Sequence, residues 1–173
     1  MDKVINEKSG LENNSRTISF QCVDAIRIIL FIEKEGFGFY DKVSKNVSDR
    51  RVRDMFLRLA EEETDHIKTL QDKMRFLQPA IPGRGQTLGR IDNFLSEELK
   101  GKIFPASEAE TVQKFKSDVE ALEFGIESEK RSINILSQFR ENEKKIDVKT
   151  VFSHLIVEEK THLALLEGLR EKI

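Results

Sequence analysis

With a single cysteine, Cys22, this chain has no internal disulfide and no Cys-x-x-Cys knuckle for zinc or an iron–sulfur cluster. A reducing, cytoplasmic setting is the expectation. Three prolines and nine glycines in 173 residues leave long stretches open to uninterrupted helix. No stretch approaches the ~18 consecutive apolar residues of a membrane span. The nearest, Ala25 to Ile32, contains Arg27 and runs into Glu33, so it reads as a buried helix and no membrane partner is expected. The polar residues 1–17 lack the apolar core of a signal peptide and read as a flexible arm. A net charge of −2, with no block of either sign, excludes the basic footprint of a nucleic-acid binder.

What the chain has is charge and apolarity interleaved: 35% charged and 38% hydrophobic residues, a mix suited to long amphipathic helices in one domain. Histidine is scarce, three in all, yet two of the three stand in the same setting. Glu63 and His66 are three residues apart, and so are Glu159 and His162. The two pairs are offset by 96 positions, and the same offset carries Glu33 onto Glu129. It also carries Val23 onto Val119, Val52 onto Val148, Phe56 onto Phe152, Leu59 onto Leu155 and Leu70 onto Leu166. Such ungapped identity implies two copies of a helix–turn–helix unit joined by a linker.

The 3–4 spacing of apolar residues predicts four long helices. The first spans about Ser19–Ser44, with Ile26, Ile29, Leu30, Glu33, Phe37 and Tyr40 on one face. The second spans about Asp49–Leu77, capped by Ser48 or Asp49 and stopped by Pro79 and Pro82. Residues 78–108 read as a long crossover, with a loop over Pro79–Arg90, a short helix over Ile91–Leu99 and Ser107 as a cap. The third and fourth helices span about Ala109–Glu141 and Val148–Glu171. The expected architecture is an all-α four-helix bundle over residues 18–173, built from two helix-pair repeats with a long crossover connection.

Glu33, Glu63, His66, Glu129, Glu159 and His162 fall on the apolar stripes of these helices. A lone Glu-x-x-His is usually a solvated face, and a lone stripe histidine is usually a hydrogen-bonded core residue. Two pairs in register with two further stripe glutamates are different, because burying an ionised carboxylate unpaired costs several kcal/mol. Two cations would remove that cost. Glutamate with imidazole and no thiolate favours iron or manganese over structural zinc. A glutamate from each of two helices and a Glu-x-x-His from each of the other two is the side-chain set of a two-metal site. The acidic neighbours Glu35, Glu62, Glu127 and Glu158 are expected to face solvent or form salt bridges. Tyr40, on the face of Glu33, has two readings: a hydrogen bond to a ligand carboxylate, or ordinary core, as its counterpart Leu136 suggests. His154 lies off the stripe and reads as a surface residue.

The segments Ile32-Glu33-Lys34, Leu59-Ala60-Glu61-Glu62-Glu63-Thr64-Asp65-His66, Ser128-Glu129-Lys130 and Val157-Glu158-Glu159-Lys160-Thr161-His162 resemble the rubrerythrin branch of the ferritin-like family. The resemblance implies a di-iron centre, two iron ions held by those six residues with glutamates bridging. It implies an oxidoreductase that reduces hydrogen peroxide or oxygen, or that oxidises ferrous iron. Two departures are visible. The family's four-cysteine rubredoxin relay is missing, so electrons would come from a separate rubredoxin-like donor. Ser132 stands where the family places a further glutamate, three residues after the Glu129 position. That glutamate accompanies peroxide reduction, so iron binding, storage or detoxification is the alternative. A homodimer is expected, because Ile28, Phe31 and Phe39 would otherwise be uncovered apolar flanks.

Overall fold

The computed structural model describes residues 20–77 and 84–173. Its helices are α1 (Cys22–Ser44), α2 (Arg50–Leu77), α3 (Arg84–Asn93), α4 (Glu108–Val112), α5 (Asp118–Asn142) and α6 (Ile146–Arg170). The last turns of α3 widen into a π-helical segment, Phe94–Leu99. Among the described residues there is no strand. The expected all-α bundle is what forms: α1 packs along α2, α5 along α6, and the two pairs meet mainly through α6.

The internal duplication is visible in how the pairs are tied together. At one end, the Asp118 carboxylate accepts the backbone N–H groups of Ser48 and Asp49, fixing the α1–α2 turn to the start of α5. At the other, the equivalent position, Cys22, donates its thiol to Asp147 at the start of α6. Glu143 reinforces that corner by accepting the N–H groups of Phe20 and Lys145. Asp49, one of the two residues expected to cap α2, accepts the Arg51 N–H.

Three expectations need correction. The segment read as a loop as far as Arg90 is helical from Arg84; the stops expected at Pro79 and Pro82 lie outside the described residues, as does the arm over 1–17. The third long helix does not begin near Ala109. It begins at Asp118, because Ser117 caps it by accepting the Glu120 N–H while the Glu120 carboxylate accepts the Lys116 N–H. The single stripe drawn for α1 is also too narrow. Phe37 is 38% exposed, whereas Ile28 and Phe39 are wholly buried.

The crossover explains that last difference. Ile91, Leu99, Ile103 and Phe104 are buried and form part of the core. The Phe104 ring lies 5.7 Å from both Phe39 and Tyr40. Gly101, at φ 76°, makes the turn that sends the chain back under α1, and a Cβ there would lie 3.1 Å from that of Ala106. The apolar flank assigned to a dimer partner is thus covered in large part by the chain itself.

An aromatic layer closes the bundle on one side of the buried carboxylates. Phe56 stacks on Tyr40 at 5.8 Å and meets Phe39 edge-on at 6.3 Å. Gly125 lets α5 approach it; a Cβ there would be 3.3 Å from the Phe56 ring. Phe56→Ala should therefore cost about 3–5 kcal/mol of stability, read from the midpoint of denaturant unfolding followed by circular dichroism.

Candidate metal centre

Each half of the duplication contributes one helix with a glutamate and one with a Glu-x-x-His pair. α1 supplies Glu33 and α2 supplies Glu63 and His66; α5 supplies Glu129 and α6 supplies Glu159 and His162. All six meet at one level of the bundle. The four carboxylates and His162 are 3% exposed or less, while the His66 side chain is 26% exposed and forms the one open edge.

The two imidazoles lie nearly parallel, centroids 6.0 Å apart and 14° between planes. Both turn Nδ1 toward the carboxylates. His66 Nδ1 is 3.2 Å from Glu33 Oε2 and 4.0 Å from Glu63 Oε2. His162 Nδ1 is 3.4 Å from Glu63 Oε1, 3.5 Å from Glu159 Oε2 and 3.7 Å from Glu129 Oε1. Two overlapping groups follow. Glu63, Glu129, Glu159 and His162 form one, and Glu33, Glu63 and His66 the other; in each, the donor atoms lie within 4.8 Å of one another. Glu63 belongs to both, the position of a carboxylate shared by two cations.

Electrostatics point the same way. Burial, and then the Glu33, Glu159 and Glu129 carboxylates, push Glu63 well above the usual carboxylate range. Burial and Glu159 push Glu129 up to about 8. Burial also opposes charge on Glu159, yet the neighbouring His162, Glu129 and the Ser132 hydroxyl hold it below its ordinary value. Burial works against charge on His162 as well, but Glu129 and Glu159 raise it to about 10. His66 is raised by its hydrogen bond to Glu33. Without a cation, the folded site neutralises its negative charge by holding protons.

Within the site, two buried atoms are left without a hydrogen-bond partner, Glu129 Oε2 and His162 Nδ1. Glu129 and His162 belong to the same buried group of residues, and an ionised carboxylate and a neutral imidazole both offer lone pairs to a cation. Orphaned polar atoms in a dry core are costly, and a coordinated cation satisfies both. The residues present therefore fit a pair of metal ions, and the absence of thiolate fits a first-row metal with oxygen and imidazole donors.

The outer faces of the histidines hold a feature the spacing did not reveal. His162 Nε2 is 3.3 Å from Glu62 Oε2, and His66 Nε2 is 3.5 Å from Glu158 Oε1. Glu62 and Glu158 are equivalent in the two repeats, and each reaches the histidine of the other. Two of the neighbours expected to face solvent or form salt bridges thus pair with the imidazoles from outside. Glu62 also holds Arg58. The signal was present, since both precede a stripe glutamate, but only the packing of α2 against α6 shows where they reach. Glu127 is exposed and faces Lys130, as expected. Glu35 is not solvated: it is half-buried, and burial and Glu108 raise it to about 7.

Tyr40 donates its hydroxyl to Glu129 Oε1, the first of its two readings. Burial and the Glu129 and Glu63 carboxylates raise its own pKa well above normal, so it stays a donor. Ser132 donates to Glu159 Oε1 at 2.5 Å. Its equivalent in the first repeat is Gly36, where a Cβ would sit 3.3 Å from Glu63 Oε1. One position thus serves two ends: a glycine makes room for Glu63, and a hydroxyl holds Glu159. His154 is 69% exposed, as expected of a residue off the stripe.

An all-helical bundle with buried glutamates and two inward histidines at its centre is of the carboxylate-bridged two-metal class. The chain belongs to the rubrerythrin family, whose model, described as Rubrerythrin, matches residues 25–170. This places it among the ferritin-like di-iron proteins, and no rubredoxin-like domain occurs among the described residues. No curated protein and no solved structure matches the chain significantly. No described helix is long and apolar enough to cross a membrane.

The charge of the site has two testable consequences. Glu129 and His162 have raised folded-state values, so their protons stabilise the metal-free fold fully below the unfolded values. That stability is lost as pH rises, between 4.5 and about 8 for Glu129 and between 6.5 and about 10 for His162. Metal-free protein should lose up to about 1.4 kcal/mol per pH unit for each such proton over that window. Adding divalent metal should flatten the slope, as read by thermal unfolding across the pH range. Separately, Glu62→Gln and Glu158→Gln should each weaken metal binding by about 10–100-fold in a chelator competition, while Glu127→Gln leaves it unchanged.

Proposed function

We propose that the chain is a non-haem di-iron oxidoreductase of rubrerythrin type. In this reading it reduces hydrogen peroxide or oxygen with electrons from a separate, rubredoxin-like donor. The observation that supports this best is the pair of orphaned buried atoms, Glu129 Oε2 and His162 Nδ1, within a set of four buried carboxylates. Glu33, Glu63, His66, Glu129, Glu159 and His162 would hold the metals, and iron is favoured over manganese by the family to which the chain belongs. A bound ferrous pair supplies two electrons and Lewis acidity at one point.

The chain's own part is positioning and proton control. Tyr40 and Ser132 fix the orientations of Glu129 and Glu159. Glu62 and Glu158 hold the two imidazoles from outside. The layer of Phe39, Tyr40, Phe56 and Phe104 excludes water from one side, leaving the His66 edge as the approach for an oxidant. A homodimer remains part of the reading, with Phe31 only partly covered while Ile28 and Phe39, the other flanks that suggested it, are buried within the chain.

Ser132 favours a second reading, iron binding with storage or detoxification and no dedicated peroxidase cycle. Its hydroxyl ties down Glu159 at the position where the family resemblance implies a further glutamate, which would be a fifth carboxylate of the site. Anaerobic mixing of the ferrous-loaded protein with hydrogen peroxide separates the two. Under the oxidoreductase reading the site oxidises within seconds and the protein binds about two irons per chain. Oxidation no faster than in air, or uptake far beyond two irons, would support iron handling instead.

A further inference from the structure

Each glutamate that pairs with an imidazole from outside has its own neighbour one turn earlier on its helix, Arg58 for Glu62 and His154 for Glu158. Arg58 and His154 are equivalent positions of the two repeats, 96 residues apart, yet they hold their glutamates differently. Arg58 Nε donates to Glu62 Oε1 at 2.8 Å, leaving Oε2 for His162 Nε2 at 3.3 Å. His154 Nε2 stands 3.9 Å from Glu158 Oε1, beyond hydrogen-bond reach, and the same oxygen faces His66 Nε2 at 3.5 Å. Among the described residues no lysine or arginine forms an ion pair with Glu158; Lys73 only lines the recess that α1, α2 and α6 leave beside it.

The two sides of the centre differ in the same direction. His162 is 2% exposed and groups with three buried carboxylates, Glu63, Glu129 and Glu159. His66 is 26% exposed and groups with two, Glu33 and Glu63. Both orphaned atoms of the site belong to the His162 group. A cation on that side is met by three carboxylates and satisfies both orphans. A second cation finds Glu63 already shared, Glu33 as its one unshared carboxylate, and a like charge nearby that opposes it. The outer neighbours act in the same sense. A guanidinium is always charged and its planar fork holds a carboxylate in one place, so the His162 ring is steadied from outside while the His66 ring is not. Arg58 also draws charge from Glu62, which weakens it as an acceptor. Both side chains are partly open to solvent, which screens that effect, and anchoring outweighs it. We propose that the centre fills in order, the first cation on the His162 side and a second, exchangeable cation at the His66 edge, with Arg58 and His154 as positioning residues that widen the difference. This order rests on the six donors forming a two-metal site, and on no particular reaction.

Zinc, a redox-silent divalent ion, tests this in the full chain freed of metal. Titration against a competing chelator should show two steps at least about 10-fold apart. The first equivalent should shift the imidazole resonances of His162, and the second those of His66. His154→Arg should tighten the second step by about 2–5-fold and leave the first alone. Arg58→His should weaken the first step by about the same factor and leave the second alone. Both side chains are more than half exposed, so neither change threatens the fold, and a merely structural effect would move the two steps together. Two equal affinities, a missing second step, a first equivalent that moves His66, or variants that alter both steps alike or neither would overturn the proposal. A chain that binds no zinc would instead sink the two-metal site itself, and the order of filling with it.

Discussion

Four glutamate carboxylates face one another across a few ångströms in the dry centre of a helical bundle, and the rest of the molecule is arranged around that unfavourable fact. Removing ionised groups from water costs several kcal/mol each, and placing them together adds repulsion. In the metal-free fold the cost is reduced by protons: Glu63 and Glu129 are pushed toward the neutral form and His162 toward the charged one. Cations occupying the same space would replace those protons. Stability, pH response and metal affinity are then one coupled property.

Duplication is how the chain builds such a site. Each helix pair contributes the same donors, so the two halves meet as near-equivalents, and their outer carboxylates cross over: Glu62 to His162 and Glu158 to His66. Neither repeat can complete its imidazole's surroundings alone. The departures from equivalence are where the two sides of the centre become chemically different. Tyr40 faces Glu129 while its counterpart Leu136 is a plain core residue. Gly36 admits Glu63 while Ser132 binds Glu159. His66 stands at the open edge while His162 is closed in.

Much of this is legible in the order of residues along the chain. The stripe register and the 96-residue offset select Glu33, Glu63, His66, Glu129, Glu159 and His162 because helical periodicity fixes which residues share a face, and all six converge. Tyr40 is legible for the same reason, one heptad after Glu33. Helix lengths are legible except where local capping intervenes. Ser117 and Glu120 start α5 nine residues later than its apolar pattern suggests, and the pattern shows helix no earlier than Ile91 in a crossover that is helical from Arg84.

The sequence by itself determined the bundle, its duplication and the donor set, since those depend on periodicity within single helices. Only the tertiary structure decided what crosses between helices. Glu62 and Glu158 leave their own helix to hold the opposite histidine, and Phe104 and Ile103 return from the crossover to cover the second face of α1. The recess beside His66 exists because α1, α2 and α6 do not close completely there. Spacing along one helix cannot encode these contacts. They depend on how far neighbouring helices approach and on which side chain, glycine or serine among them, sets that distance.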